Sequence, residues 1–218
     1  MLPNTLDPIE VRVIGSLIEK ELSTPDHYPL SLNALTAACN QSSNRDPVMA
    51  LEEGTVSQAI DTLRRQGLVR SIQAIGSRVP KYQHLLTEAG ELTRAELAVL
   101  CVLALRGPQT QAEVRTRAAR LMPGDDSAGI DSALEALMTR EPEPVVARLS
   151  RRPGQKEPRY AHRLAGIVAE AVDDEPLPPQ ITATSTDRIV AVEQQIQELR
   201  NEISDLRAQF AGFRKQFE

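Results

Sequence analysis

Catalysis or metal binding in this chain would have to be built from three histidines, two cysteines and a few paired acids, and their spacing suits neither. Cys39 and Cys101 stand alone, without the short repeats that hold zinc or the density of a disulfide framework. They read as small apolar core residues. His84 and His162 occupy equivalent places in an internal repeat, so strand structure accounts for them better than ligation, and His27 has no ligand spacing to either. The pairs Glu52-Glu53 and Asp125-Asp126 sit beside turn residues or helix starts, where carboxylates complement the helix dipole. No phosphate loop, dinucleotide fingerprint, nucleophile elbow or zinc spacing occurs. The expectation is a protein that is not an enzyme and uses no cofactor or metal.

Arginine is the residue type whose placement suggests an activity, namely the recognition of anions. Residues 91–165 hold 12 Lys+Arg against 10 Asp+Glu, and residues 1–90 hold 8 against 10, in a chain of net charge −5. An acidic whole argues against indiscriminate coating of nucleic acid but leaves room for a local basic stripe. Aromatic residues make up only 3% and Trp is absent, which removes the stacking platforms that single-strand binders use. If the third helix of the first half enters a major groove, its outward face offers Ser57, Gln58, Asp61, Thr62, Arg64 and Arg65. Gln pairs with adenine and Arg with guanine or phosphate, while the charge of Asp61 is repelled by the backbone. Arg78 and Lys81 on the following hairpin are placed for phosphate contacts. The equivalent third helix of the second half carries Asp131 and Glu135 and is poor for DNA. Its second helix instead presents Arg115, Arg117 and Arg120, and its hairpin Arg148, Arg151, Arg152, Lys156 and Arg159.

The elements that must position these residues come twice. The apolar pattern of residues 54–63 returns at 128–137, Pro80-Lys81-Tyr82-Gln83-His84 returns as Pro158-Arg159-Tyr160-Ala161-His162, and Leu6-Asp7-Pro8-Ile9-Glu10 as Leu92-Thr93-Arg94-Ala95-Glu96. Three collinear matches define a repeat. Asp7 with Pro8 and Glu10 starts a first helix, Ser31 caps a second, and Thr55 with Gln58 reads as the capping box of a third that ends near Gly67. Residues 68–73 and 81–85 have strand character around a Gly76-Ser77 turn. In the second unit Thr93/Glu96 and Thr110/Glu113 are capping boxes, the third helix runs from about Ser127 to Thr139, and 145–149 with 159–164 form the hairpin. The apolar run Leu97–Leu105 is too short to span a bilayer and reads as a buried helix. The fold class is mainly α with small β-hairpins (α+β): two tandem winged-helix domains, residues 1–90 and 91–165.

An acidic, proline-containing linker follows at residues 166–186. From 187 to 218, Ile189, Val192, Ile196, Leu199, Ile203, Leu206, Phe210, Phe213 and Phe217 alternate spacings of three and four, the a/d seam of a coiled coil. Isoleucine at a with leucine at d favours a parallel dimer, and Glu202 at g can meet Arg207 at e of a second copy. Packing of the seam on its own domains or on another protein's helix is the alternative. The first residues lack the basic and apolar regions of a signal peptide, so a cytoplasmic location is expected.

Residues 6–20, Thr24-Pro25-Asp26-His27-Tyr28-Pro29-Leu30-Ser31-Leu32-Asn33 and Cys39-Asn40-Gln41-Ser42-Ser43-Asn44-Arg45-Asp46-Pro47-Val48-Met49 resemble the YceH-like family of uncharacterised bacterial proteins. The resemblance covers at least residues 6–165 and implies paired winged-helix domains. It brings no catalytic residues. The loop with Asn40, Gln41, Asn44 and Arg45 is where a family-specific role would lie, unless its turn chemistry is purely structural. Two functions follow: a dimeric, transcription-regulatory protein that binds duplex DNA, or a protein-interaction scaffold like those of chromosome-segregation complexes.

Overall fold

A computed structural model of the chain describes residues 5–73, 79–122, 129–151 and 157–166, all within one compact unit spanning residues 1–172. Helix α1 (Pro8–Ser23) begins where the sequence places it. Asp7 Oδ1 accepts from the N–H groups of Ile9 and Glu10 at 2.7 and 2.8 Å, and Glu10 Oε2 accepts from the Asp7 N–H at 2.9 Å. Such a cap contributes about 1 kcal/mol by satisfying donors that the helix leaves open. A short strand β1 (Leu30–Ser31) leads into α2 (Leu32–Cys39), which Ser31 caps through the Ala34 N–H. Then come α3 (Glu53–Arg65), β2 (Val69–Ile72), β3 (Lys81–His84) and the short α4 (Leu86–Gly90).

The start of α3 differs from the sequence expectation. It begins at Glu53, two residues before Thr55, and its N-cap Glu52 makes no side-chain cap bond. Long-range contacts replace the local box. Asn40 holds both the N–H and the C=O of Leu51, each at 2.8 Å, and Asn33 of α2 donates to Glu53 Oε1 at 3.1 Å. The entry of the chain into α3 is therefore set from α2.

The second half repeats the order: α5 (Arg94–Arg106), β4 (Gln109–Thr110), α6 (Gln111–Ala119), α7 (Ile130–Thr139), β5 (Val146–Leu149) and β6 (Arg159–His162). Both expected capping boxes form, with Glu96 Oε2 accepting from the Thr93 N–H at 2.7 Å and Glu113 Oε2 from the Thr110 N–H at 2.9 Å. Each half carries a three-stranded antiparallel sheet, ordered β1-β3-β2 and β4-β6-β5. The hairpins are those expected, whereas β1 and β4 are two-residue strands with too little pattern to announce themselves. The linker from 167 onward and the whole seam at 187–218 lie outside the described residues.

The two halves are joined through their first helices, and α1 against α5 is the most extensive contact in the fold. Every residue from Leu97 to Leu105 is buried, as is every residue from Glu10 to Glu19. Close approach is possible because Gly15 lacks a side chain: a Cβ there would lie 2.8 Å from Leu105 Cδ2 and 3.2 Å from the Ala104 Cβ. The Cys101 thiol reaches the Gly15 carbonyl at 3.5 Å. At the far end the Leu6 N–H donates to the Leu164 carbonyl at 2.8 Å, so the beginning of the first repeat is tied to the end of the second.

Candidate nucleic-acid interface

Helix α3 buries Val56, Ala59, Ile60 and Leu63 and turns the opposite stripe to solvent. Gln58, Asp61, Arg64 and Arg65 are exposed there, and Ser57 and Thr62 are half-buried. Asp61 does not stand free: Arg64 Nη1 approaches its carboxylate at 3.3 Å, an exposed pair of about 0–1 kcal/mol that an incoming phosphate can exchange for itself. Arg65 is oriented by Thr62 Oγ1 at 3.0 Å and the Asp61 carbonyl at 3.3 Å. Beside them runs an open groove of about 520 Å³ lined by Asp61, Arg64, Arg65, Val69, Arg70 and Ser71.

Arg70 was not among the candidates read from sequence. The signal that could have found it is the strand alternation, since Val69 is buried and Arg70 faces out. Its guanidinium lies 3.9 Å from Glu88 and, with the Gln83 amide turned to accept, 2.6 Å from that oxygen. Lys81 is exposed at the other end of the hairpin, paired in register with Ile72 and Ser31. Arg78 lies outside the described residues.

In the second half the arginines are largely engaged with its own acids. Arg115 pairs with Asp131, which also accepts from Gln111 at 2.9 Å, and these bonds hold the Asp131 carboxyl below its usual range. Arg117 and Arg159 share Glu113, at 3.4 and 3.6 Å, and Arg159 also donates to the Pro108 carbonyl at 2.9 Å. The Thr110 N–H, then those two cations, lower the Glu113 carboxyl. Arg120 is exposed near Arg106 and Arg117, and Arg148 is exposed on β5. Arg151 is exposed with interactions of its own, and Arg152 and Lys156 lie outside the described residues.

The loop at 40–49 is largely exposed, but it sends Arg45 into the core. Arg45, with no exposed side-chain surface, grips Glu19 of α1 through two bonds of 3.1 and 2.7 Å and donates to the Ala38 carbonyl at 2.7 Å and Gln41 at 3.3 Å. Burial alone would raise the Glu19 carboxyl, but Arg45 and Lys20 outweigh it and hold the group below its usual range. Arg12, also buried, donates to the carbonyls of Cys39 and Pro47 at 3.1 and 2.6 Å. All four polar residues singled out in the loop thus act on protein groups, Asn40 on Leu51 and Gln41 and Arg45 around Glu19. Asn44, in a left-handed conformation with φ of 61°, accepts from Arg106 of α5.

Cys39, Cys101 and His84 are buried. Burial raises both thiols, so Cys39 and Cys101 remain protonated. His84 Nε2 meets Glu21 at 2.5 Å while its Nδ1 accepts from the Leu86 N–H at 3.3 Å, which fixes its tautomer and ties β3 to α1. Burial pushes its repeat equivalent His162 down to about 4. Among the described residues no three His, Cys, Asp or Glu are grouped to hold a metal, and no helix is long and apolar enough to cross a membrane.

A family model described as a protein of unknown function, DUF480, matches residues 6–155. The chain belongs to that family. The match takes in the first repeat with its Arg45 loop and the second repeat as far as β5, stopping short of β6. Full-length DUF480 relatives include proteins named UPF0502 protein from Geobacter metallireducens, 49% identical over 100% of both chains, and Pelobacter propionicus, 49% identical over 98% of both. Another, from Geobacter sulfurreducens, is 50% identical over 98% of both. The alignments to these relatives extend through the tail, beyond the residues that the family model matches.

Proposed function

We propose that this protein binds duplex DNA without catalysing a reaction, as a transcription regulator made of two tandem winged-helix domains and a C-terminal coiled coil that pairs two copies. The observation that carries the reading is the exposed stripe of α3, where Gln58, Arg64 and Arg65 stand clear of the core beside the outward Arg70 of β2. A helix presented this way over a hairpin suits the major groove, with Gln58 reaching base edges and the arginines contacting guanine or phosphate. Lys81 on the hairpin extends the cationic surface. The second unit is the weaker reader, because Arg115, Arg117 and Arg159 already have carboxylate partners.

That internal neutralisation favours a second reading for residues 91–165, in which they present a protein-interaction surface of the scaffold kind. Fluorescence anisotropy with mixed-sequence duplex DNA separates the two. The DNA reading expects binding at micromolar concentration or below, weakened at least tenfold in the Arg64→Gln/Arg65→Gln variant. Absence of binding at low salt refutes it and leaves the scaffold reading.

A further inference from the structure

Between the loop at 40–49 and the second half lies a cleft of about 100 Å³, lined by Glu19, Asn44, Cys101, Arg106, Arg117 and Arg120 over an aliphatic floor. Its arginines also line a wider opening of about 420 Å³ along α6. Charge here is strongly unbalanced. Lys20 and Arg45 share Glu19, and Arg117 and Arg159 share Glu113. Arg106 and Arg120 add two further cations that make no ion pair within 4.0 Å among the described residues, and the Arg106 guanidinium donates to the neutral Asn44 amide. Burial first, then Arg117, Arg120 and Arg45, lower the pKa of Arg106 against the opposing pull of Glu19, so neighbouring like charges add to the cost of burial.

Holding cations at one place costs free energy unless an anion joins them. Guanidinium groups match tetrahedral oxyanions through paired N–H donors, and the cleft has room for a few waters or one such group. The thiol at the floor is kept protonated by burial, so the site is suited to binding and not to sulfur chemistry. We infer that Arg106, Arg117 and Arg120, with Asn44, form a seat for a single phosphate group at the junction of the two halves. The seat joins the α1-bound loop to α5 and α6, so its occupancy stiffens the contact between the repeats. It does not depend on α3 reading DNA.

The test is calorimetric titration of the full chain with inorganic phosphate at constant ionic strength, balanced with chloride, followed by displacement with duplex DNA. Saturable phosphate binding is expected, weakened at least tenfold in Arg120→Gln and in Arg106→Gln and largely kept in Arg120→Lys. If duplex DNA displaces phosphate, the group is a backbone phosphate; if it does not, the ligand is a free phosphate or a small phosphate ester. No saturable heat above the chloride control, or full binding by a folded Arg106→Gln/Arg120→Gln variant, overturns the inference. DNA affinity measured in parallel on the Arg64→Gln/Arg65→Gln variant tests the α3 reading separately.

Discussion

Replacing Arg45 by Ala removes a guanidinium with no exposed side-chain surface and strips Glu19 of its 2.7 and 3.1 Å partners. The carboxylate of Glu19, itself only 8% exposed, is left with Lys20 at 3.3 Å, and the Ala38 carbonyl loses its donor. Breaking a buried pair by deleting one partner costs about 3–5 kcal/mol, well above the value of the exposed Arg64–Asp61 pair. For a domain of this size the midpoint of thermal unfolding should fall by about 6–20 °C. Glu19→Met/Arg45→Met removes both charges together, so it should be less damaging than either single change. Because the folded Glu19 carboxyl lies below its usual value, its contribution is full above that value and is lost as pH falls through the lowered one. The wild type should therefore lose more stability on acidification below about pH 4.5 than the double Met variant does. Urea unfolding of the wild type, Arg45→Ala, the two single Met variants and the double Met variant at pH 7 and pH 4 measures both effects. A loss below about 1 kcal/mol in Arg45→Ala at pH 7 would refute the view that the loop is an internal clamp.

Three other expectations follow from the same geometry and a fourth from the proposed coiled-coil seam. Gly15→Val should destabilise the fold by about 1–3 kcal/mol, read by urea unfolding, because α1 and α5 must separate to admit the side chain. Asn40→Ala should cost about 1–3 kcal/mol by the same measurement, since Leu51 loses both of its partners. His162, held down to about 4 when folded, takes up its proton first in the unfolded chain. Stability should thus decline as pH falls from about 6.5 toward 4, by up to about 3 kcal/mol, and His162→Leu should flatten that stretch of the pH profile. Ile196→Asp/Ile203→Asp should convert a dimer to a monomer by light scattering, and an unchanged mass would reject the seam.

Local signals were legible in the sequence and long-range ones were not. Asp7, Thr93 and Thr110 announce their helices because the capping partners lie three residues away. Thr55 misled because α3 is started by Asn40 and Asn33, 11 and 20 residues from the groups they hold. The hydrophilic loop at 40–49 is mostly exposed, as its composition suits, yet its arginine is buried against Glu19 of α1, which no spacing rule connects to it. Likewise the glycine that lets the two first helices touch is an ordinary residue until the partner helix is in place. For the candidate site, the exposed stripe of α3 could be read from helical period alone. The neutralisation of Arg115, Arg117 and Arg159 could not, since it depends on how α6, α7 and β6 meet.

The salt dependence of DNA affinity tests the central claim most directly. With Arg64, Arg65, Arg70 and Lys81 each neutralising one phosphate, the logarithm of affinity should fall against the logarithm of salt with a slope of about −3.6 per protomer. Arg64→Gln/Arg65→Gln should bring that slope to about −1.8. Affinity that is absent, indifferent to salt, or equally steep in the double variant would contradict the account.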